Sequence, residues 1–270
     1  MIPKIIHYSW ISTDEKPEIV QRCMQTWREK LPDYEFVLWD ARRIAEEINN
    51  SFVDEAIMVK KWAFAADYVR CFAVYKYGGI YLDTDVEVLR SFDEFLGNKM
   101  FIGQEVPTYC FKVNAHKMSL TAHCFGAEAG HPFLRLCLHY YKNRRFIMSM
   151  NWDLPDDMRY DQKVLPIIQS QLMEYFGYKS QAYYYDKEQT LSEGIKVYPS
   201  WYFDTPSSFS MKNVYCIHYW VGSWRNLLPV EKRRKRRYTV LGFMKQNILK
   251  VINLIPRLWG YEFSINKTKW

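Results

Sequence analysis

The stretch that decides the fold is Ala65 to Glu87, AADYVRCFAVYKYGGIYLDTDVE. Its first part is apolar at helical spacing, Gly78-Gly79 stands where a helix stops in a left-handed cap, and Ile80-Tyr81-Leu82 is a short β-prone run. A helix, a glycine break and a strand therefore follow one another. The strand delivers Asp83 and Asp85 where its apolar run ends, and in an extended chain side chains two residues apart share a face. Both carboxylates can then converge on one hard cation, directly or through water, and a substrate phosphate is the usual further ligand.

Toward the N-terminus the chain alternates strand and helix. Lys4 to Trp10 is β-prone and closes on the tetrad HYSW, Pro17 opens a helix to about Lys30, and Tyr34 to Trp39 (YEFVLW) is a second strand. Ala41 to Asn50 reads as a polar-faced helix, and one long helical pattern runs from about Asp54 to Tyr77. After the aspartate pair come a short strand at Val86 to Leu89, a brief helix that Ser91 can cap, and a strand at Met100 to Gln104. This alternation is that of a nucleotide-binding α/β sheet, in which the ligand sits at the carboxyl ends of the strands. Trp10 and the aspartate pair both lie at such ends.

Farther on, Thr121 to Glu128 reads as extended, Phe133 to Tyr141 as a helix, Asn151 to Tyr160 as a polar loop and Gln162 to Phe176 as another helix. Strand-like pieces return at Ala182 to Tyr185, Ile195 to Tyr198 and Val214 to His218. No internal repeat or low-complexity linker divides the chain. The expectation is one catalytic domain over 1–228 and a separate tail over 229–270.

Composition narrows the function classes. With 270 residues, 49% hydrophobic and 17% aromatic, the chain can bury a sizeable core. Its six cysteines form no C-x-x-C pair and several fall in apolar runs, so they read as buried thiols rather than as a disulfide framework or a zinc site. The opening MIPKIIHYSWI is too short and polar for a signal peptide, and no apolar run is long enough to span a bilayer. A cytoplasmic location is expected.

The net charge is +7, but residues 231–270 hold eleven Lys and Arg against Glu231 and Glu262, a local +9 that leaves −2 for the rest. A nucleic-acid binder normally spreads its basic residues over the folded body, so nucleic acid is not expected as a partner. In the tail, KRRKRR at 232–237 precedes Leu241, Met244, Ile248, Val251 and Ile255 on one side of a helical pattern and Gln246, Lys250, Asn253 and Arg257 on the other. This is the pattern of a basic amphipathic helix at an anionic membrane surface, which would hold the protein at the inner face of the cell membrane. A helix docked on the catalytic domain and a nucleic-acid tail are the alternatives.

Several groups of residues carry chemistry. Asp83 and Asp85 also suit a solvated strand end or a haloacid-dehalogenase-type phosphatase, but D-x-D-x-[TV] requires Thr or Val where this chain has Glu87. Asp67 and Arg70 share a helix face, as an ordinary i, i+3 ion pair would. Beside a metal-phosphate site Arg70 is also suited to bridging phosphate or sugar oxygens and Asp67 to accepting sugar hydroxyls. In HYWVGSW, His218 can complete a cation's coordination, Ser223 can bond a phosphate oxygen and Trp224 can donate its indole N–H to a leaving group. Trp10 offers a stacking platform for a nucleotide base, or simply core. Glu128 and Asp161 are further carboxylates to weigh.

Together IPKIIHYSWI, AADYVRCFAVYKYGGIYLDTD, FGAEAGHPFL and IHYWVGSW resemble the family 32 glycosyltransferases, over about residues 1 to 224. That group includes fungal initiating mannosyltransferases and bacterial capsule and O-antigen sugar transferases, and is similar in its core to the glucosyltransferase domains of clostridial toxins. The resemblance implies a GT-A fold, a Rossmann-like mixed sheet flanked by helices, and a nucleotide-sugar donor with Mn²⁺ or Mg²⁺. It also implies transfer with retention of anomeric configuration. Carried over by position, Trp10 stacks on the base, Asp67 and Arg70 hold the sugar and the ribose or phosphate, and Tyr81 joins the donor-binding set. Asp83 and Asp85 are the D-x-D, while Ser223 and Trp224 match the S-W that contacts the diphosphate and glycosidic oxygen. The toxin relatives have a carboxylate near the metal where this chain offers His218. The expected reaction moves a hexose, such as that of UDP-galactose or UDP-glucose, to a lipid-linked or oligosaccharide acceptor in the synthesis of a surface polysaccharide, a capsule or O-antigen. A toxin-like protein glycosyltransferase and a non-catalytic adaptor are the alternatives.

Overall fold

The computed structural model describes residues 1–105, 118–180, 186–204 and 213–221. Met1–Tyr219 forms one compact unit, and a second begins at Trp220. The expected strand at Ala182 to Tyr185, the basic tail, the expected boundary near residue 228, Ser223 and Trp224 all lie outside the described residues.

Three parallel strands form one side of a mixed sheet: β1 (Ile5–Ser9) pairs with both β2 (Glu35–Trp39) and β3 (Gly79–Leu82). β3 then pairs antiparallel with β6 (Ser119–Ala127), which pairs antiparallel with β5 (Met100–Glu105). β5 runs parallel to β8 (Ile195–Tyr198), and β7 (Gln189–Thr190) closes the edge. The order is β2-β1-β3-β6-β5-β8-β7, the expected mixed sheet flanked by helices. Separately, β4 (Val86–Val88) pairs antiparallel with β9 (Cys216–His218).

Both faces of the sheet are covered, which is why its central strands read as continuous apolar runs. Tyr81, Met100, Ile102, Leu120 and Phe125 pack on one face against α3 (Ser51–Met58), α4 (Trp62–Tyr77), α5 (Pro132–Tyr140) and α7 (Leu165–Met173). Their neighbours Ile80, Leu82, Phe101 and Cys124 pack on the other, with α1 (Glu18–Lys30), a 3₁₀ turn at Asp93–Phe95 and α8 (Ser200–Phe203). Cys71, Cys124, Cys137 and Cys216 are buried free thiols, and Cys23 is buried as well. No described helix is long and apolar enough to cross a membrane.

Four local expectations are corrected. The helix over Ala41 to Asn50 is α2 (Ala41–Glu47), because the Asn50 side chain accepts from the N–H groups of Phe52 and Val53 and starts α3. The long pattern from Asp54 to Tyr77 is broken into α3 and α4 at Lys60, whose φ is 57°. The loop over Asn151 to Tyr160 contains one helical turn, α6 (Asp156–Arg159). The helix expected from Gln162 begins at Leu165, with Pro166 in its first turn.

Candidate functional site

At Gly78 and Gly79 the backbone takes φ values of 69° and 101°, which glycine alone adopts without strain. A Cβ on Gly79 would lie 2.6 Å from the Ile5 carbonyl oxygen, so glycine also permits β3 to lie close beside β1. The carboxyl ends of β2, β1 and β3 thus meet on one edge, carrying Asp40, Trp10 and Asp83.

The aspartate pair is presented by a turn, not by a continuing strand. β3 ends at Leu82, and the Asp83 carbonyl accepts from the Val86 N–H at 3.0 Å. The convergence of the two carboxylates therefore owes to the turn rather than to strand alternation. α1 braces its far side: the Trp27 indole donates to the Val86 carbonyl at 2.7 Å, and the Thr26 hydroxyl accepts from the Val88 N–H at 2.9 Å. On the near side β9 sets His218 opposite Val86, and the Tyr219 N–H donates to the Asp85 carbonyl at 3.0 Å. His218 Nε2 then lies 3.3 Å from Asp85 Oδ1. Ligand atoms of Asp83, Asp85 and His218 all fall within 4.8 Å of one another.

Arg70, buried on α4, joins this group to the helix. Its Nη1 lies 3.2 Å from Asp83 Oδ2 and donates to the Ala122 carbonyl at 2.6 Å, while Nη2 lies 3.2 Å from Asp67 Oδ1. The Leu165 N–H at the start of α7 donates to Asp67 Oδ2 at 3.2 Å. Tyr81 is fully buried under the guanidinium, and its hydroxyl reaches Ser9 Oγ at 2.8 Å and Asp83 Oδ1 at 3.2 Å. Tyr81 thus ties β1 to the aspartate turn from below.

The electrostatics follow from burial and these contacts. Burial, with the Asp83 charge beside it, pushes Asp67 up to about 6 despite Arg70. For Arg70 burial opposes the charge, but Asp83, Tyr81 and Asp67 prevail and hold it firmly protonated. Burial likewise opposes protonation of His218, yet Asp85 raises its pKa above the ordinary value. Two carboxylates with one imidazole form a donor set that can hold a divalent cation.

Trp10 is half-buried at the end of β1, its indole donating to the Asp14 carbonyl at 3.0 Å with Lys16 over the ring. Glu128 does not belong to the site. It follows Ala127, which pairs with Gly79 at the opposite end of β3 from Asp83, and it pairs with the N-terminal amine. Asp161 is held by Arg144 at 3.1 Å. Two residues that sequence reasoning missed stand behind His218: His123, whose ring stacks on it with centroids 4.1 Å apart, and Asp204. Neither sits at a spacing that marks a ligand motif.

Residues 17–102 match the family described as a glycosyltransferase sugar-binding region containing the DXD motif. That span contains Asp67, Arg70, Asp83 and Asp85. Inositol phosphoceramide mannosyltransferase 3 of Schizosaccharomyces pombe is 34% identical over 136 residues, which cover 49% of this chain and 35% of that protein. Mannosyl phosphorylinositol ceramide synthase SUR1 of Saccharomyces cerevisiae is 29% identical over 149 residues, covering 53% of this chain and 36% of that protein. The chain thus spans about a third of the length of these curated relatives. Among solved structures, PaToxG glycosyltransferase aligns with a TM-score of 0.44 at 16% identity, covering 64% of this chain and 69% of that one.

Proposed function

We propose that this protein is a metal-dependent glycosyltransferase that moves a hexose from a nucleotide-sugar donor to a hydroxyl of a lipid-borne acceptor, with retention of configuration. The observation that carries the reading is the convergence of Asp83, Asp85 and His218 beside a buried, protonated Arg70, of which Asp83, Asp85 and Arg70 fall in the region that matches a sugar-binding family.

Breaking a sugar–phosphate bond places negative charge on the departing diphosphate, and a divalent cation held by Asp83, Asp85 and His218 would supply Lewis-acid stabilisation of that charge. Arg70 contributes a fixed positive charge whose geometry is set before substrate arrives. Asp67, held by Arg70 and the Leu165 N–H, presents a carboxylate to donor hydroxyls. Trp10 stacks on the base, and Ser223 and Trp224, outside the described residues, complete the donor contacts as the sequence resemblance implies. No protein nucleophile is required: the acceptor attacks from the face that the diphosphate leaves, and the leaving oxygen takes its proton.

The relatives are named for mannosyl transfer to inositol phosphoceramide, whereas the sequence resemblance led to a capsule or O-antigen. These names favour mannose as the hexose and a phosphoinositol-type polyol headgroup as the acceptor, over a UDP-linked glucose or galactose and a lipid-linked saccharide. An anionic membrane, reached through the basic tail, fits either acceptor. The test is nucleotide release from UDP-glucose, UDP-galactose and GDP-mannose, each with Mn²⁺ and with EDTA. Metal-dependent turnover of one donor is expected, and turnover of none would reject the reading.

A further inference from the structure

Behind the proposed cation ligands lies a buried group that the reaction itself does not use: His123 on β6 and Asp204 at the end of α8, with ligand atoms within 4.8 Å of each other and of a His218 ring nitrogen. Both are nearly inaccessible, at 3% exposure each. A His-His-Asp trio can be a second metal site, but the ring geometry argues against it. The His123 and His218 rings are stacked, with centroids 4.1 Å apart and planes inclined by 27°. An imidazole's lone pair lies in its ring plane, so two nearly parallel rings at that spacing cannot both point at one nearby ion.

The Phe203 carbonyl explains why His123 is fixed in this pose. It accepts from His123 Nε2 at 2.8 Å and from Cys216 Sγ at 3.3 Å, so one oxygen ties β6, the end of α8 and β9 together. Because a carbonyl only accepts, Nε2 of His123 carries a hydrogen. The anchored ring lies flat against His218.

We infer that His123 and Asp204 are positioning residues for His218: His123 fixes the plane of its ring, and the Asp204 carboxylate, within 4.8 Å of a His218 ring nitrogen, is the group placed to take an Nδ1–H when a cation takes Nε2. The requirement comes from proton placement. If Nε2, the nitrogen beside Asp85, gives its lone pair to a cation, the single ring hydrogen must sit on Nδ1, and a hydrogen on a buried nitrogen needs an acceptor. A carboxylate there fixes the tautomer and raises the ligand's basicity, as outer partners of metal-bound histidines do. This inference rests on the reading of His218 as a ligand.

The test is Mn²⁺ binding to the full chain without sugar nucleotide, followed by electron paramagnetic resonance of the free ion. Asp204→Asn is expected to weaken Mn²⁺ affinity roughly 10–100-fold, and Asp204→Glu to retain most of it. In a His218→Gln background Asp204→Asn should cause no further loss, since its effect passes through the imidazole. Should Asp204→Asn fail to fold, His123→Gln reads the same coupling, because it keeps an N–H for the Phe203 carbonyl but lacks the stacked ring; severalfold weaker binding is expected. If His218→Gln weakens binding while Asp204→Asn and His123→Gln bind as the parent does, the positioning role is overturned and the ligand assignment stands. If His218→Gln binds as the parent does, the ligand assignment falls, and the inference with it.

Discussion

Arg70 and Asp83 face each other at 3.2 Å across the junction of α4 and β3, with the arginine side chain only 6% exposed and Asp67 at the same distance on its other nitrogen. One guanidinium is thus shared by two carboxylates from the two sides of the glycine break. The charges that would handle a diphosphate are oriented by the fold before any ligand arrives, which lowers the cost of ordering them at the moment of reaction.

Removing the arginine leaves Asp67 and Asp83 facing each other without a counter-charge. Arg70→Met is expected to destabilise the fold by roughly 3–5 kcal/mol, the usual cost of breaking a buried pair from one side. Adding Asp67→Asn should recover part of that loss, because it removes one of the stranded charges. Urea unfolding of the parent and both variants measures this. A loss under about 1 kcal/mol for Arg70→Met would show that the pair is well solvated.

Gly79→Ala places a methyl group 2.6 Å from the Ile5 carbonyl, at a φ of 101° that alanine avoids. The clash is with backbone in a paired strand, so relief requires β1 and β3 to separate. A destabilisation of at least about 2 kcal/mol is expected, combining backbone strain with lost pairing. Urea unfolding checks this, and a change within about 0.5 kcal/mol would contradict the close approach of the two strands.

His7 supplies a pH dependence. Its Nε2 donates to the Gly78 carbonyl at 2.9 Å and its Nδ1 accepts from the Trp39 indole at 3.2 Å, so a second ring proton would oppose the indole N–H. Burial pushes its pKa down to about 4, from an ordinary 6.5. The folded state therefore binds this proton less readily than the unfolded chain. The neutral ring's contribution is fully present above about pH 6.5 and is lost as pH falls toward 4, by about 3 kcal/mol in all. His123, depressed by burial and His218, adds to the same acid-side loss. His7→Gln should flatten the stability profile between pH 6.5 and 4 relative to the parent, and an unchanged slope would contradict the assignment.

Much of this was legible in the sequence because local signals agreed. GG after an apolar helix gave the break, D-T-D at the end of IYL gave the carboxylates, and Trp10 followed its strand as expected. Local reading failed where the cause was distant or side-chain-specific. The break at Lys60 carries no glycine or proline to announce it, and Asn50 reads as a helix end although its side chain caps the next helix. The pairing of β4 with β9, which brings His218 to Asp85, joins residues from distant parts of the chain that no periodicity connects. His123 and Asp204 were invisible for the same reason. Glu128 looked eligible because nothing in FGAEAGHPFL tells which end of β6 faces the aspartates.

Trp10 is half-buried, so its replacement should spare the fold. Trp10→Ala is expected to weaken nucleotide binding by about 1–2 kcal/mol, roughly 5- to 30-fold, as loss of an aromatic stacking platform does. Fluorescence titration with the nucleotide of the active donor, alongside a thermal unfolding profile, separates the two effects. Unchanged affinity would place the base elsewhere.

The central claim is that Asp83 and Asp85 join a cation to the diphosphate of a nucleotide sugar, and calorimetry of UDP and GDP binding in Mn²⁺ and in EDTA tests it most directly. The account predicts that one of the two nucleotides binds at least tenfold more tightly with Mn²⁺, and that Asp85→Asn removes the difference while leaving the weaker, metal-free binding in place. Equal affinity of both nucleotides with and without Mn²⁺, or a metal effect that survives Asp85→Asn, would contradict it.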